Sequence, residues 1–277
     1  MTKVLITGAS GYLGARLFLD LRDKFEVTGT YNSNQLYREF IRLDTTNQSE
    51  VAALVQKTKP EVIIHAAANA HRDWCEEHQD LARKLNIEAT RFVAYAADQV
   101  GSKLIFISSF AANNTDNFYG YSKKESEEII KNTLSKYLII RPPVIIGCSP
   151  KRKTTNLFGK ILESFNHPTE PVKISTRKNQ PCYIGHISQI ITLAIERDLS
   201  GQTLPVALEE IKTRYEIAND ILSPFNIEVL PLEEKSPPIT LEKMDKLREL
   251  NLPLYQYKDV IDLIVDEIKH RERFRLD

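Results

Sequence analysis

The chain has 277 residues, 42% hydrophobic and 27% charged, which suits a globular protein with a sizeable core. Lys plus Arg and Asp plus Glu each number 37, so the net charge is zero, which excludes a general nucleic-acid binder relying on a basic surplus. No run of about 18 apolar residues is present, no signal peptide precedes the first strand-like run, and Cys75, Cys148 and Cys182 are too scattered for a disulfide framework or a structural zinc site. The expectation is a cytoplasmic protein with reduced thiols, no metal, no membrane contact and no nucleic-acid partner.

In chain order, the predicted strands are Lys3–Thr7, Glu26–Tyr31, a weaker one at Phe40–Leu43, Glu61–Ala66, Lys103–Ser108 and Tyr137–Ile140. Between them lie stretches with helical spacing, such as Leu13, Leu17 and Leu21, or Phe92, Ala96 and Val100. Alternation of buried strands with helices predicts crossover units and a parallel sheet covered on both faces. After Arg141-Pro142-Pro143 prolines become frequent and a basic triplet, Lys151-Arg152-Lys153, appears. A helix is predicted over His186–Arg197. Another opens on Thr213-x-x-Glu216, a capping-box pattern, and runs toward Leu222. The pair Pro237-Pro238 then introduces a segment rich in Leu and charge.

The first strand runs straight into Gly8-Ala9-Ser10-Gly11-Tyr12-Leu13-Gly14, followed by a helical pattern. Strand, glycine-rich turn and helix is the context in which this spacing signals a dinucleotide site. Glycines let backbone approach a pyrophosphate, and the helix N-terminus offers free N–H groups to the anion. The fold class expected is therefore α/β, a Rossmann-type doubly wound parallel sheet with a small C-terminal substrate lobe. Residues 1–141 form its NAD(P)-binding domain, strands from 142–200 complete the sheet, and 142–277 mostly form the lobe. The second strand ends Thr28-Gly29-Thr30-Tyr31-Asn32, with no carboxylate to hold a ribose 2′-hydroxyl or to repel a 2′-phosphate. This favours NADP(H) over NAD(H), with Arg16 and Arg38 as candidate phosphate partners.

The strand Lys103–Ser108 leads into Ser109; Tyr119 follows ten residues later and Lys123 four after that. Tyr119 and Lys123 are expected one helical turn apart on one face. A free tyrosine has a pKa near 10, and a nearby ammonium is expected to lower it. Tyr119 can then exchange a proton with a carbonyl or alcohol oxygen that Ser109 holds by hydrogen bonding. Lys123 could also contact the cofactor ribose. Ser108 competes with Ser109 for that role, whereas Tyr121, with Glu125 four positions on, lacks the cation.

Together, Thr7–Gly14, His65-Ala66-Ala67-Ala68, Ile107-Ser108-Ser109 and Tyr119-Gly120-Tyr121-Ser122-Lys123 resemble the extended short-chain dehydrogenase/reductase superfamily. Within it, the stretch from His65 to Asn86 and the stretch Ile239–Leu254 resemble the dTDP-4-dehydrorhamnose reductase branch, which includes the regulatory β subunit of methionine adenosyltransferase. The resemblance implies a catalytic triad of Ser109, Tyr119 and Lys123. It implies cofactor contacts from Gly8, Ser10, Gly11, Tyr12, Leu13, Gly14, Tyr31, Asn32, Asp44, Ala66, Ala67, Ala68 and Asn86, besides Tyr119 and Lys123. It further implies reduction of a keto group on a nucleotide-linked sugar, and leaves a homodimer possible. The alternatives are a sugar-nucleotide epimerase and a non-catalytic NADP-binding regulatory subunit. The chain departs from the branch in three places: a short bridge, Phe110–Phe118, replaces a longer insertion; Ala70 replaces a frequent threonine; and His186 replaces a frequent aspartate.

Overall fold

The computed structural model describes residues 1–151, 153–236 and 238–276. Arg152 of the basic triplet and Pro237 of the proline pair lie outside the described residues. The strands are β1 (Lys3–Thr7), β2 (Glu26–Tyr31), β3 (Ile41–Arg42), β4 (Val62–His65), β5 (Lys103–Ile107), β6 (Tyr137–Arg141), β7 (Val144–Ile146), β8 (Val172–Ser175), β9 (Lys178–Asn179), β10 (Pro181–Tyr183), β11 (Gln202–Pro205), β12 (Lys212–Thr213) and β13 (Val229–Leu232). The α-helices are α1 (Tyr12–Leu21), α2 (Gln48–Thr58), α3 (Arg72–Glu77), α4 (Gln79–Ala82), α5 (Ala89–Val100), α6 (Phe118–Thr133), α7 (Leu157–Glu163), α8 (Ile184–Glu196), α9 (Arg214–Leu222), α10 (Asp245–Glu249) and α11 (Tyr257–Lys269).

The central sheet has the order β3-β2-β1-β4-β5-β6-β11, and every pairing in it is parallel. Order reverses between β1 and β4, which opens a crevice at their carboxyl ends. The sheet is apolar on both faces because its strands alternate between two cores. Val4, Ile6, Val62, Ile64, Ile105 and Ile107 join the core shared with α1 and α8. Leu5, Ile63, Leu104 and Phe106 join the core shared with α2, α5 and α6. The seventh strand, β11, comes from the second half of the chain and closes the edge beside β6.

The remaining strands form small pairs in a C-terminal lobe: β7 with β10 and β8 with β13 in parallel, β9 with β12 antiparallel. Helix α9 opens with the reciprocal capping box read from Thr213 and Glu216, each side chain bonding the other's backbone N–H. Helix α8 begins at Ile184, two residues before the predicted start, with Tyr183 as its N-cap. Among the described residues no helix is long and apolar enough to cross a membrane.

Candidate active site

The glycine turn closes on itself through a hydrogen bond from Gly11 N–H to the Gly8 carbonyl, 2.9 Å. Gly8 has φ +74°, and a Cβ there would lie 2.8 Å from Ala67 Cα; one on Gly14 would run into the Gly8 carbonyl oxygen. Both positions therefore require glycine, and the backbone of β1 meets that of the segment after β4 (Ala66 N–H to Thr7 O, 3.1 Å). Gly11 caps α1 with no side chain, so the first-turn N–H groups of Tyr12, Leu13 and Gly14 face the crevice mouth unclaimed by a cap. This cradle fits a dinucleotide pyrophosphate, and the backbone of Ala66 and Ala67 stands against it at Gly8. The side chains of Tyr12 and Leu13 turn inward: Leu13 is buried, and the Tyr12 hydroxyl donates to Gly147 O at 2.5 Å.

Ser10 Oγ accepts from Leu36 N–H at 3.2 Å, which holds the loop after β2 against the turn. Tyr31 ends β2 there and Asn32 follows it, and Arg38 is exposed with no ion pair among the described residues. Asp44 follows β3, adjoining the end of β2 through Leu43 N–H to Tyr31 O (2.8 Å). Its carboxylate accepts from Thr46 N–H and Thr46 O–H at 2.9 and 2.7 Å.

Arg16 corrects the sequence expectation. It is buried and points away from the phosphate side, donating to Asp20, Glu267 and Cys148 O at 2.7, 2.7 and 2.8 Å. Those partners spend its charge inside the protein, which leaves Arg38 as the candidate for a 2′-phosphate.

On the other side of the crevice, α6 begins at Phe118, with the Asn117 side chain accepting from Gly120 N–H at 2.9 Å. Tyr119 and Lys123 therefore share one face of its first two turns, both buried. Lys123 Nζ donates to Ile107 O at 2.8 Å, stands 4.8 Å over the Phe106 ring and lies 6.0 Å from the Tyr119 ring centroid. Burial lowers Lys123 to about 8, with Glu127 beside it acting in the opposite direction. Tyr119 corrects a second expectation: burial raises its phenol above the ordinary value, and the opposing contributions come from the Ser109 hydroxyl and Arg72, not from Lys123. The phenol thus holds its proton at neutral pH.

The two serines part company. Ser108 donates to Glu127 Oε1 at 2.5 Å, and Arg141 clasps the same buried carboxylate from Nε at 2.8 Å and Nη2 at 2.5 Å. Ser109 caps a 3-10 turn, Phe110–Asn113, accepting from Ala111 N–H at 3.2 Å, and its hydroxyl acts on Tyr119. Glu127 was not singled out from sequence, although it lies one turn beyond Lys123 on the same helix face.

Asn86 sits in a π-helical turn, Arg83–Glu88, and is buried. Its Oδ1 accepts from Asn69 N–H at 2.8 Å, and its Nδ2 donates to Asn69 O and Ser122 Oγ at 3.0 and 3.2 Å. With its amide so engaged, Asn86 positions the segment after β4 against the helix that carries Tyr119. His65 lies beneath it. Thr90 gives its hydroxyl proton to Asn86 O (2.6 Å), so Thr90 Oγ1 accepts from His65 Nε2–H (3.1 Å) and Nδ1 accepts from Thr7 O–H (2.7 Å). Burial and the Lys123 charge hold His65 down at about 3, neutral at physiological pH. His186 is buried on α8, donating from Nε2 to Pro253 O at 2.9 Å, away from the crevice. No group of three or more His, Cys, Asp or Glu is gathered to hold a metal among the described residues.

A seven-stranded parallel sheet with a glycine turn at its switch point and a Ser-Tyr-Lys constellation across the crevice defines a dinucleotide-dependent oxidoreductase architecture. The RmlD substrate binding domain family matches residues 1–249, and the chain belongs to that family. The chain is 27% identical to a dTDP-4-dehydrorhamnose reductase of Aggregatibacter actinomycetemcomitans, covering 74% of this chain and 71% of that one. It is also 27% identical to methionine adenosyltransferase 2 subunit beta of Danio rerio, over 84% of this chain and 78% of that one. Among solved structures, a dTDP-4-dehydrorhamnose reductase from Bacillus anthracis in complex with NADP superposes with a TM-score of 0.81, at 26% identity over 96% of this chain and 99% of that one. A Thermus thermophilus UDP-glucose 4-epimerase in complex with NAD shares the fold, with a TM-score of 0.80 at 19% identity, 97% of this chain and 99% of that one.

Proposed function

We propose that this protein reduces a keto group on a nucleotide-linked sugar, with NADP(H) preferred over NAD(H). The observation that carries the reading is the placement of Ser109, Tyr119 and Lys123 at the carboxyl end of β5, across the crevice from the glycine turn. When bound, the nicotinamide supplies a hydride to the carbonyl carbon. Tyr119 gives its phenolic proton to the carbonyl oxygen, and its raised pKa suits this acid role, the direction of reduction. Ser109 donates a hydrogen bond to the same oxygen. Lys123, anchored on Ile107 O with its ammonium 6.0 Å from the Tyr119 ring centroid, would contact the cofactor ribose. The relatives named as dTDP-4-dehydrorhamnose reductases support the substrate class, and the absence of a carboxylate at the end of β2 supports NADP(H).

The test is NADPH oxidation, followed by absorbance, against a panel of nucleotide-4-ketosugars. Tyr119→Phe is expected to lower turnover by about 10²–10⁴-fold while NADPH binding persists. Unchanged turnover in that variant would remove Tyr119 from the reaction. The likeness to methionine adenosyltransferase 2 subunit beta supports a second reading, a cofactor-binding regulatory subunit. Tight NADPH binding with no turnover on any sugar would favour it.

A further inference from the structure

Glu127 on α6 is wholly buried, and its charge is answered by Arg141, the last residue of β6, from Nε and Nη2. Ser108, just past β5, donates to Oε1 of the same carboxylate. A buried ion pair is about as stable as an apolar pair of the same volume, so what it adds here is the fixed geometry of a planar fork. The guanidinium has one arm to spare. Arg141 Nη1 donates to Asn113 Oδ1 at 2.6 Å, and Asn113 ends the 3-10 turn that Ser109 caps. At the near end of that turn Phe110 N–H donates to Pro142 O at 3.2 Å, one residue beyond Arg141. The turn has little apolar grip of its own: its buried residues are Ala111 and Ala112, while Asn113, Asn114, Thr115 and Asp116 are exposed. A cavity of about 310 Å³, with Phe110, Asn113 and Arg141 in its wall, flanks the turn, so packing does not hold it from that side.

We propose that Arg141 is a positioning residue for Ser109. One guanidinium clasps Glu127, on the helix that carries Tyr119 and Lys123, and through Asn113 it holds the turn that Ser109 begins. The two halves of the proton-transfer site thereby keep one spacing. The assignment rests on the reductase reading above, in which Ser109 and Tyr119 meet on one carbonyl oxygen. Ser109 Oγ accepts from Ala111 N–H at 3.2 Å and acts on the Tyr119 phenol, so a tilt of the turn carries the hydroxyl with it. A misplacement of about 1 Å can cost about 10²-fold in rate, so a tether of one hydrogen bond is enough to matter.

The test compares Asn113→Ala, which cuts the tether at an exposed position, with Asn113→Asp, which restores an acceptor for Nη1. Two readouts are taken on the full chain: reduction of a nucleotide-4-ketosugar by NADPH, and the NMR signal of Cζ-labelled Tyr119, assigned by its loss in Tyr119→Phe. Asn113→Ala is expected to lower kcat about tenfold or more, with KM and NADPH affinity held within about twofold, and to displace the Tyr119 signal. Asn113→Asp is expected to return both to wild type. Arg141→Lys, whose single ammonium cannot span Glu127 and Asn113 together, is expected to lose at least as much, and adding Asn113→Ala to it to cost no more. Wild-type kcat with an unmoved signal in Asn113→Ala would overturn the assignment and leave the reductase standing. A fall in kcat with an unmoved signal would overturn it too, because the loss would not pass through Ser109. No turnover in wild type, with the signal displaced in Asn113→Ala and restored in Asn113→Asp, would sink the reductase and leave the clasp. Should Arg141→Lys fail to fold, the Asn113 variants decide the matter alone.

Discussion

Arg16 of α1 and Glu267 of α11 meet at 2.7 Å, both buried, 251 positions apart in sequence. Glu267 also accepts from Tyr183 O–H at 2.6 Å and Cys148 N–H at 2.8 Å, so both its oxygens are occupied. Such a pair contributes little over an apolar replacement, but breaking it strands a buried charge at a cost of about 3–5 kcal/mol. Arg16→Met and Glu267→Gln are each expected to lower unfolding free energy by about that amount in urea titrations, and the Arg16→Met/Glu267→Met double variant to regain most of it. Single variants as stable as wild type would contradict the pairing.

Gly120 is where the short bridge after Ser109 meets α6. A Cβ there would lie 2.6 Å from Ala111 O and overlap Asn114 O. Gly120→Ala must push the 3-10 turn away and carry Ser109 with it relative to Tyr119. Turnover is expected to fall by about 10²-fold with NADPH affinity nearly unchanged. Steady-state kinetics beside a binding titration separates the two.

Arg38 lies on the loop held to the glycine turn by Ser10 and has no competing ion pair among the described residues. Arg38→Ala is expected to weaken NADPH by about tenfold and leave NADH unchanged. Equal losses for both cofactors would place Arg38 outside the 2′-phosphate site.

His65 is held at about 3 in the fold against 6.5 for a free imidazole, by burial and then by Lys123. The unfolded chain binds more protons between those values, so stability falls as pH drops from 6.5 toward 3. His186, lowered to about 4 by burial, adds the same sign from 6.5 downward. Replacing His65 by Asn is expected to flatten the dependence of the urea midpoint on pH in that window. An unchanged slope would show that the ring is charged in the native state.

Lys123 is lowered to about 8 from 10.5 by burial. The proposed chemistry needs the ammonium, so kcat/KM is expected to fall as pH rises through about 8. Stability moves the other way: the unfolded lysine keeps its proton up to 10.5, so this group's contribution rises with pH across that window. Groups facing Lys123 are Glu127 on its own helix, Cys75 on α3 and His65 on β4. Removing the Glu127 charge, as in Glu127→Gln, is expected to move the alkaline limb to lower pH. A limb that stays in place would detach Glu127 from Lys123.

Features set by neighbours in sequence were legible before the structure. The glycine turn, the capping box at Thr213 and the Tyr119–Lys123 turn depend on offsets of three or four residues, and they form as read. Serine assignment needed the structure, because Ser108 and Ser109 differ only in which side of the strand end they leave, and Glu127 claims the first. Arg16 misleads for a related reason: its place early in α1 is visible in sequence, whereas Glu267 is brought to it only by folding of the whole chain. The sign of the Tyr119 shift was also hidden, since burial outweighs any nearby cation and burial is a tertiary property.

The Arg16–Glu267 contact also has a consequence for synthesis on the ribosome. The glycine turn and its helix are translated before α11, yet the carboxylate that neutralises the helix's buried guanidinium lies on α11. Until that last long helix emerges, Arg16 must stay hydrated or hold α1 off the sheet. The nascent nucleotide-binding half therefore waits, incompletely packed and exposed to chaperones and proteases, for a residue translated 251 positions later.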